Sequence, residues 1–198
     1  MARLAVLVLL VGSAASAAVA ADVVPVRGSS TTFPPAVAVP VGDKAVQLRL
    51  TGAGLRTRLG FNVYTVGSYL QEGAVARSPD ELAKADAVRM LYLVMERTVE
   101  PADFIGAFKA AVGKAHPADR FAAEFAQLAA AIGDKAAAKG DHVSLTSVPG
   151  AGVRVQVVGK VDVTVKNPAF AQALWEVYLG EHPLDDGLKK GLVGRLPR

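Results

Sequence analysis

The stretch Val46-Gln-Leu-Arg-Leu-Thr-Gly-Ala-Gly-Leu-Arg-Thr-Arg-Leu-Gly-Phe-Asn-Val-Tyr-Thr-Val-Gly-Ser-Tyr-Leu70 decides the fold. Val46, Leu48 and Leu50 alternate with Gln47, Arg49 and Thr51. That period of two describes a half-buried strand. Gly52-Ala53-Gly54 interrupts the pattern, as a bulge or a close backbone approach would. From Leu55 to Leu70 strand-favouring residues resume with Phe61, Val63, Tyr64, Thr65, Val66 and Tyr69, and a turn is expected near Gly60. Inside this core-building sequence sit Arg56 and Arg58. A guanidinium on a strand beneath a helix layer is costly to bury without a partner. The alternation alone therefore puts both arginines on the solvated face of the sheet.

Working outward, Ser78-Pro79-Asp80-Glu81 is a helix start: Ser78 caps, Pro79 suits the first helical position and Glu81 completes a capping box. Val88 to Met95 is apolar on both faces and reads as a central strand. Pro101 opens a helix with Phe104, Ile105, Phe108 and Val112 on one side. A second helix follows, its stripe formed by Phe121, Phe125, Leu128 and Ile132. Val143–Val148, Val153–Val158 and Val161–Val165 form a β-meander divided by glycine turns. Asn167-Pro168 caps a helix that ends at Gly180, and Leu184, Leu188 and Leu192 mark a last short one. Adjacent strand runs with intervening helices describe an α+β domain, a mostly antiparallel sheet with helices on one face.

Upstream, Arg3 precedes the apolar run Leu4–Val11, and Ala18-Val19-Ala20 has the A-x-A form of a signal-peptidase site. Residues 1–20 are thus expected to be a cleaved signal peptide, with the mature chain periplasmic or secreted and without a membrane span. Residues 21–32, containing Gly28-Ser29-Ser30-Thr31-Thr32, are expected to be a flexible segment. The folded domain is expected over 33–198.

Composition removes most chemistry. The 198 residues carry no cysteine, which excludes disulfides, thiolate metal sites and thiol nucleophiles. His116, His142 and His182 stand in no ligand spacing, so no metal site is expected. Neither G-x-S-x-G nor a glycine-rich phosphate cradle occurs, and no cofactor is expected. A net charge of +4 without a basic stripe gives no reason to expect nucleic acid as a partner. Asp185-Asp186 is a carboxylate pair, read as acidic residues favoured at a helix start by its dipole.

One resemblance sharpens this picture. Gly52-Ala53-Gly54-Leu55-Arg56 followed by Tyr64-Thr65-Val66-Gly67-Ser68-Tyr69-Leu70 resembles the chalcone isomerase-like family in its bacterial exported branch. Phe33-Pro34, Arg97-Thr98-Val99, Gly140-Asp141, Pro149-Gly150-Ala151-Gly152-Val153 and the run Phe170–Trp175 with Leu179–Pro183 extend it over roughly 33–193. The resemblance implies an open-faced β-sandwich, one large antiparallel sheet under a helix layer, with a ligand cleft between them. It implies that Arg56 faces the ligand and that Tyr64 joins it on a carboxylate, as in the fatty-acid-binding members. The chain departs from the catalytic members: Tyr64 replaces a threonine, Phe104 stands where an active-site tyrosine is expected, and Ala111 where an asparagine is.

The expectation is therefore a binder of a small hydrophobic ligand bearing a carboxylate, such as a fatty acid, held by Arg56 and Tyr64 without catalysis. The alternatives are an isomerase (intramolecular lyase) on a chalcone-like phenolic or enone substrate, with Arg56 stabilising enolate charge, and an interaction module with a vestigial cleft. Register is open at this stage. A two-residue turn at Leu59-Gly60 pairs Arg56 with Val63 and turns Tyr64 away; a loop one residue longer pairs Arg56 with Tyr64. Arg58 is the substitute for Arg56 if the register differs. Ligand identity and oligomeric state leave no pattern in the sequence.

Overall fold

A computed structural model describes residues 23–197. The expected signal peptide 1–20 lies outside these residues. Seven antiparallel strands form one sheet in sequence order: β3 (Ala36–Val41), β4 (Lys44–Arg58), β5 (Phe61–Gln71), β6 (Arg89–Met95), β7 (His142–Val148), β8 (Gly152–Val157) and β9 (Val161–Val165). Ahead of it β1 (Val24–Pro25) and β2 (Thr32–Phe33) pair as a small separate ribbon. Five helices are described: α1 (Pro79–Lys84) between β5 and β6, α2 (Pro101–Val112) and α3 (Ala122–Ile132) between β6 and β7, and α4 (Pro168–Leu179) and α5 (Asp186–Leu192) after β9. The helices pack on one face of the sheet, α3 over β9, α4 over β7 and β8, and α5 over β4. The expected α+β architecture is what is observed.

Local signals act as the residue chemistry dictates. Ser78 accepts from the Glu81 N–H while the Glu81 carboxylate accepts from the Arg77 N–H, an acidic brace at the start of α1. Asn167 accepts from the N–H groups of Ala169 and Phe170 and starts α4. The main core lies between sheet and helices, where Leu91, Leu93, Phe125, Phe170, Leu174 and Trp175 are buried together.

Two parts of the chain differ from expectation. Segment 21–32, expected to be flexible, is folded in its described part: Val26 is buried, and the ribbon ends in Phe33 at 0% exposure. Phe33 belongs to a second, smaller core on the face of the sheet opposite the helices, with Leu48, Leu50, Tyr69 and Met90. Glycine and serine content reads as loop, and only tertiary burial of two apolar anchors overrides it. The edge strand β3 was not expected either, because its run Ala-Val-Ala-Val-Pro-Val is short and carries a proline, which demotes a strand reading.

Gly52 explains the interruption seen in β4. A Cβ there would sit on the Gly191 carbonyl oxygen and 2.6 Å from the Leu192 carbonyl group. Helix α5 thus lies directly on the strand backbone. Thr51 secures the contact by donating to the Leu192 carbonyl at 3.0 Å, and its own carbonyl accepts from the Arg195 N–H at 2.9 Å.

Candidate functional site

The turn after β4 has two residues, with Arg58 opposite Phe61 and positive φ at Leu59 (50°) and Gly60 (81°). Mirror-type turns of this kind match the twist of paired strands. Two-residue loops of this type place Arg56 opposite Val63 in a regular ladder. The ladder is irregular: Thr57 pairs with Asn62, the register then shifts, and Arg56 pairs directly with Tyr64. The extra residue resides within β5 and not in the turn, so neither sequence alternative for the loop is complete. A bulge of this sort re-aims side chains. Here it puts Arg56 and Tyr64 side by side on the face covered by helices, not on the solvated one.

Both line a cleft of about 150 Å³. Val63, Phe104, Phe108, Val177 and Leu184 supply its apolar walls. Helix α2 brings the two phenylalanines, whose ring centroids lie 5.1 Å apart. Arg58 and Arg97 reach the same cleft from exposed positions on its rim, so the substitute arginine and the first choice share one site. Asp103 is on the rim as well. Ala111 is buried but does not line this cleft.

Two pairings organise the polar groups. The Tyr64 and Tyr178 hydroxyls are 3.1 Å apart, both buried. Burial pushes Tyr64 up to about 12, a shift that its hydrogen bond to Tyr178 and the nearby Arg56 charge only partly offset. Burial also raises Tyr178 well above its ordinary value. Both phenols therefore stay protonated at neutral pH. One hydroxyl donates to the other, so one O–H of the pair has no partner among the described residues. The second pairing is Arg56 Nη1 with the Asp185 carboxylate at 3.3 Å, the side chains being 19% and 31% exposed. Arg56 Nη1 also donates to the Thr57 carbonyl at 2.7 Å.

Asp185 has a double role. One carboxylate oxygen accepts from the Leu188 N–H at 2.8 Å and caps α5, as the sequence suggests; the other holds Arg56. That second role was missed. The two residues are 129 positions apart, and no local pattern links them. Tyr178 lies among the buried apolar residues of α4, a position from which sequence assigns its hydroxyl no partner. Arg97 belongs to a motif that carries the family resemblance, but no role was attached to it.

A seven-stranded antiparallel sheet under helices, with an arginine and a tyrosine facing a small apolar cleft, defines a protein of the chalcone isomerase fold. A family profile described as chalcone isomerase-like matches residues 31–194, and the chain belongs to that family. Among solved structures, a fatty-acid binding protein of Arabidopsis thaliana is similar in fold, with a TM-score of 0.67 at 20% identity, covering 87% of this chain and 96% of that one. No curated protein matches the chain in sequence.

Proposed function

We propose that this chain is an exported, non-catalytic binder of a hydrophobic carboxylate such as a fatty acid, its head group held by Arg56 and Tyr64. The observation that carries the reading is the direct pairing of Arg56 with Tyr64 in one apolar-walled cleft. A guanidinium keeps its charge and offers two parallel donors to a carboxylate. The spare O–H of the tyrosine pair adds a neutral donor beside it. The plant fold relative, named for fatty-acid binding, is consistent with this chemistry. The isomerase alternative gains less support. Phe104 has no hydroxyl to offer, and both buried phenols hold their protons, so neither serves as a base at neutral pH.

Size shapes the ligand. Drug-sized ligands occupy pockets of roughly 300–1,000 Å³. A cleft of about 150 Å³ takes the head group and the first few carbons of a tail; the rest of a long tail needs α2 to move outward. A calorimetric titration with saturated acids from hexanoic to hexadecanoic tests the reading. Losing a charge-assisted bond costs roughly 1.5–3 kcal/mol, so Arg56→Ala weakens binding about ten- to a hundredfold. Arg56→Lys restores only part of it, because an ammonium lacks the planar fork. Equal affinities for wild type and Arg56→Ala would overturn the assignment, and cyclisation of a chalcone by the wild type would establish the isomerase in its place.

A further inference from the structure

The sheet face opposite the helices carries a second and larger cavity, of about 540 Å³. It touches Val37 and Val39 of β3 as well as Arg154 and Gln156 of β8. Those strands stand five places apart in the sheet order, so the sheet curls and the cavity is the trough on its concave side. A concave apolar face needs filling, and the chain fills one part of it itself. Phe33 lies against Gly67 of β5, where a Cβ would come 2.9 Å from its ring. The remaining part is left open by the described residues.

Its lining is divided lengthwise. One wall is Val37, Val39, Met90 and Val94. The other runs along β7 and β8, where His142, Ser144 and Thr146 alternate on one strand and Arg154 and Gln156 stand opposite them. On β6, between Met90 and Val94, stands Tyr92, whose hydroxyl lies 2.7 Å from His142 Nδ1 on β7. This one contact uses a single hydrogen, whichever group donates. A neutral imidazole and a phenol carry one each, so one donor of the couple has no partner among the described residues. The hydroxyls of Ser144 and Thr146 likewise have no hydrogen bond among those residues. Charge, in contrast, is already satisfied: Arg154 Nε donates to Asp162 at 2.8 Å, and Gln156 donates to the same carboxylate at 3.2 Å.

We infer that this trough is a second binding site, for an uncharged single-chain amphiphile. The tail lies along Val37, Val39, Met90 and Val94. A hydroxyl or ester carbonyl head accepts from the Tyr92–His142 couple and Thr146. The volume falls within the range of roughly 300–1,000 Å³ that ligand sites occupy. An anionic head is disfavoured, because the trough's arginine is held by Asp162 through two parallel bonds, from Nε and Nη2, whereas Arg56 meets Asp185 through Nη1 alone. This inference does not rest on the carboxylate reading of the Arg56 cleft; the two sites lie on opposite faces and take different head groups.

The test is a titration of the full mature chain with dodecan-1-ol and 1-monododecanoylglycerol, against dodecanoate as the charged counterpart. Wild type and Arg56→Ala are expected to bind the two uncharged probes equally. Val37→Trp, which fills the trough from an edge strand, is expected to weaken them at least tenfold. Thr146→Val keeps the strand and its volume and is expected to weaken them about three- to tenfold, so the site is tested even where the tryptophan variant fails to fold. No binding of either uncharged probe would overturn the proposal. So would binding that is lost in Arg56→Ala, or binding that is unchanged in both trough variants. Dodecanoate bound by Arg56→Ala as tightly as dodecan-1-ol would overturn the assignment of an uncharged head.

Discussion

The two faces of the sheet solve opposite problems. On the helix face, α2, α4 and α5 pack down until only about 150 Å³ is left beside Arg56 and Tyr64. There, charge and buried hydroxyls are concentrated in a small volume. Among the described residues no helix packs on the concave face, and the N-terminal ribbon with Phe33 covers only part of the trough, leaving about 540 Å³. Here volume is large and net charge small. Apolar area needs no geometry to be useful, but a charged group does. A strand-borne arginine therefore sits where rigid neighbours can hold it, and a tail can lie wherever the sheet curls.

The largest expected effect separates the faces through their glycines. Gly52→Ala drives a methyl group into the Gly191 and Leu192 backbone, which cannot rotate away. Overpacking of this kind costs roughly 3 kcal/mol, or a Tm lower by about 6–12 °C for a chain of this size. Because Asp185 caps α5, displacing the helix also shifts the partner of Arg56, so calorimetry should show lost stability together with altered acid binding. Full stability in Gly52→Ala would break the claim that α5 is seated on bare backbone.

Alkaline titration probes both faces at once. All four tyrosines, Tyr64, Tyr69, Tyr92 and Tyr178, are raised by burial. A phenol whose folded value lies above its unfolded value of about 10 stabilises the fold fully below pH 10. That contribution is lost as pH climbs; for Tyr64 the window runs up to about 12. Two units correspond to on the order of 2–3 kcal/mol. Ultraviolet phenolate absorbance of the folded chain should stay low at pH 10, where the unfolded chain is half ionised. Tyr92, half-buried at the trough, should ionise first, and Tyr92→Phe should remove that first step. Early ionisation that survives Tyr92→Phe would contradict this order.

On the concave face Gly67→Ala is the counterpart of Gly52→Ala. Its methyl meets the ring of Phe33, a side chain that can shift, so the expected loss is smaller, roughly 1–2 kcal/mol. Acid binding at the Arg56 cleft should be unchanged. Protease resistance of the 24–33 ribbon should fall; an unchanged digestion pattern would count against Phe33 as its anchor.

The smallest effect is at the Arg56–Asp185 pair. Single-contact pairs near the surface contribute about 0–1 kcal/mol. Asparagine still caps a helix, so Asp185→Asn should change Tm little. It should strengthen acid binding about two- to fivefold, since the ligand no longer competes with an internal carboxylate. Weaker binding in Asp185→Asn would mean that the aspartate positions Arg56 instead of competing for it.

Short-range chemistry in the sequence was enough for the element order from Val46 onward. Alternation marked β4, an apolar run marked β6, and Ser78, Asn167 and Gly52-Ala53-Gly54 marked two helix starts and a close approach. Each depends on neighbours within a few positions, so a single sequence carries it. Arg56 and Tyr64 were reached through the family resemblance, while alternation alone pointed the arginine toward solvent. What only the tertiary structure decided depends on distant partners: the bulge that sets Arg56 beside Tyr64, the Asp185 carboxylate at the end of a helix 129 residues away, and the Tyr178 hydroxyl. The same holds for Phe33, whose burial turns a loop-like segment into a plug, and for the trough, which exists because the sheet curls. A strand records which of its faces is apolar; it does not record how far the sheet bends or what the bend encloses.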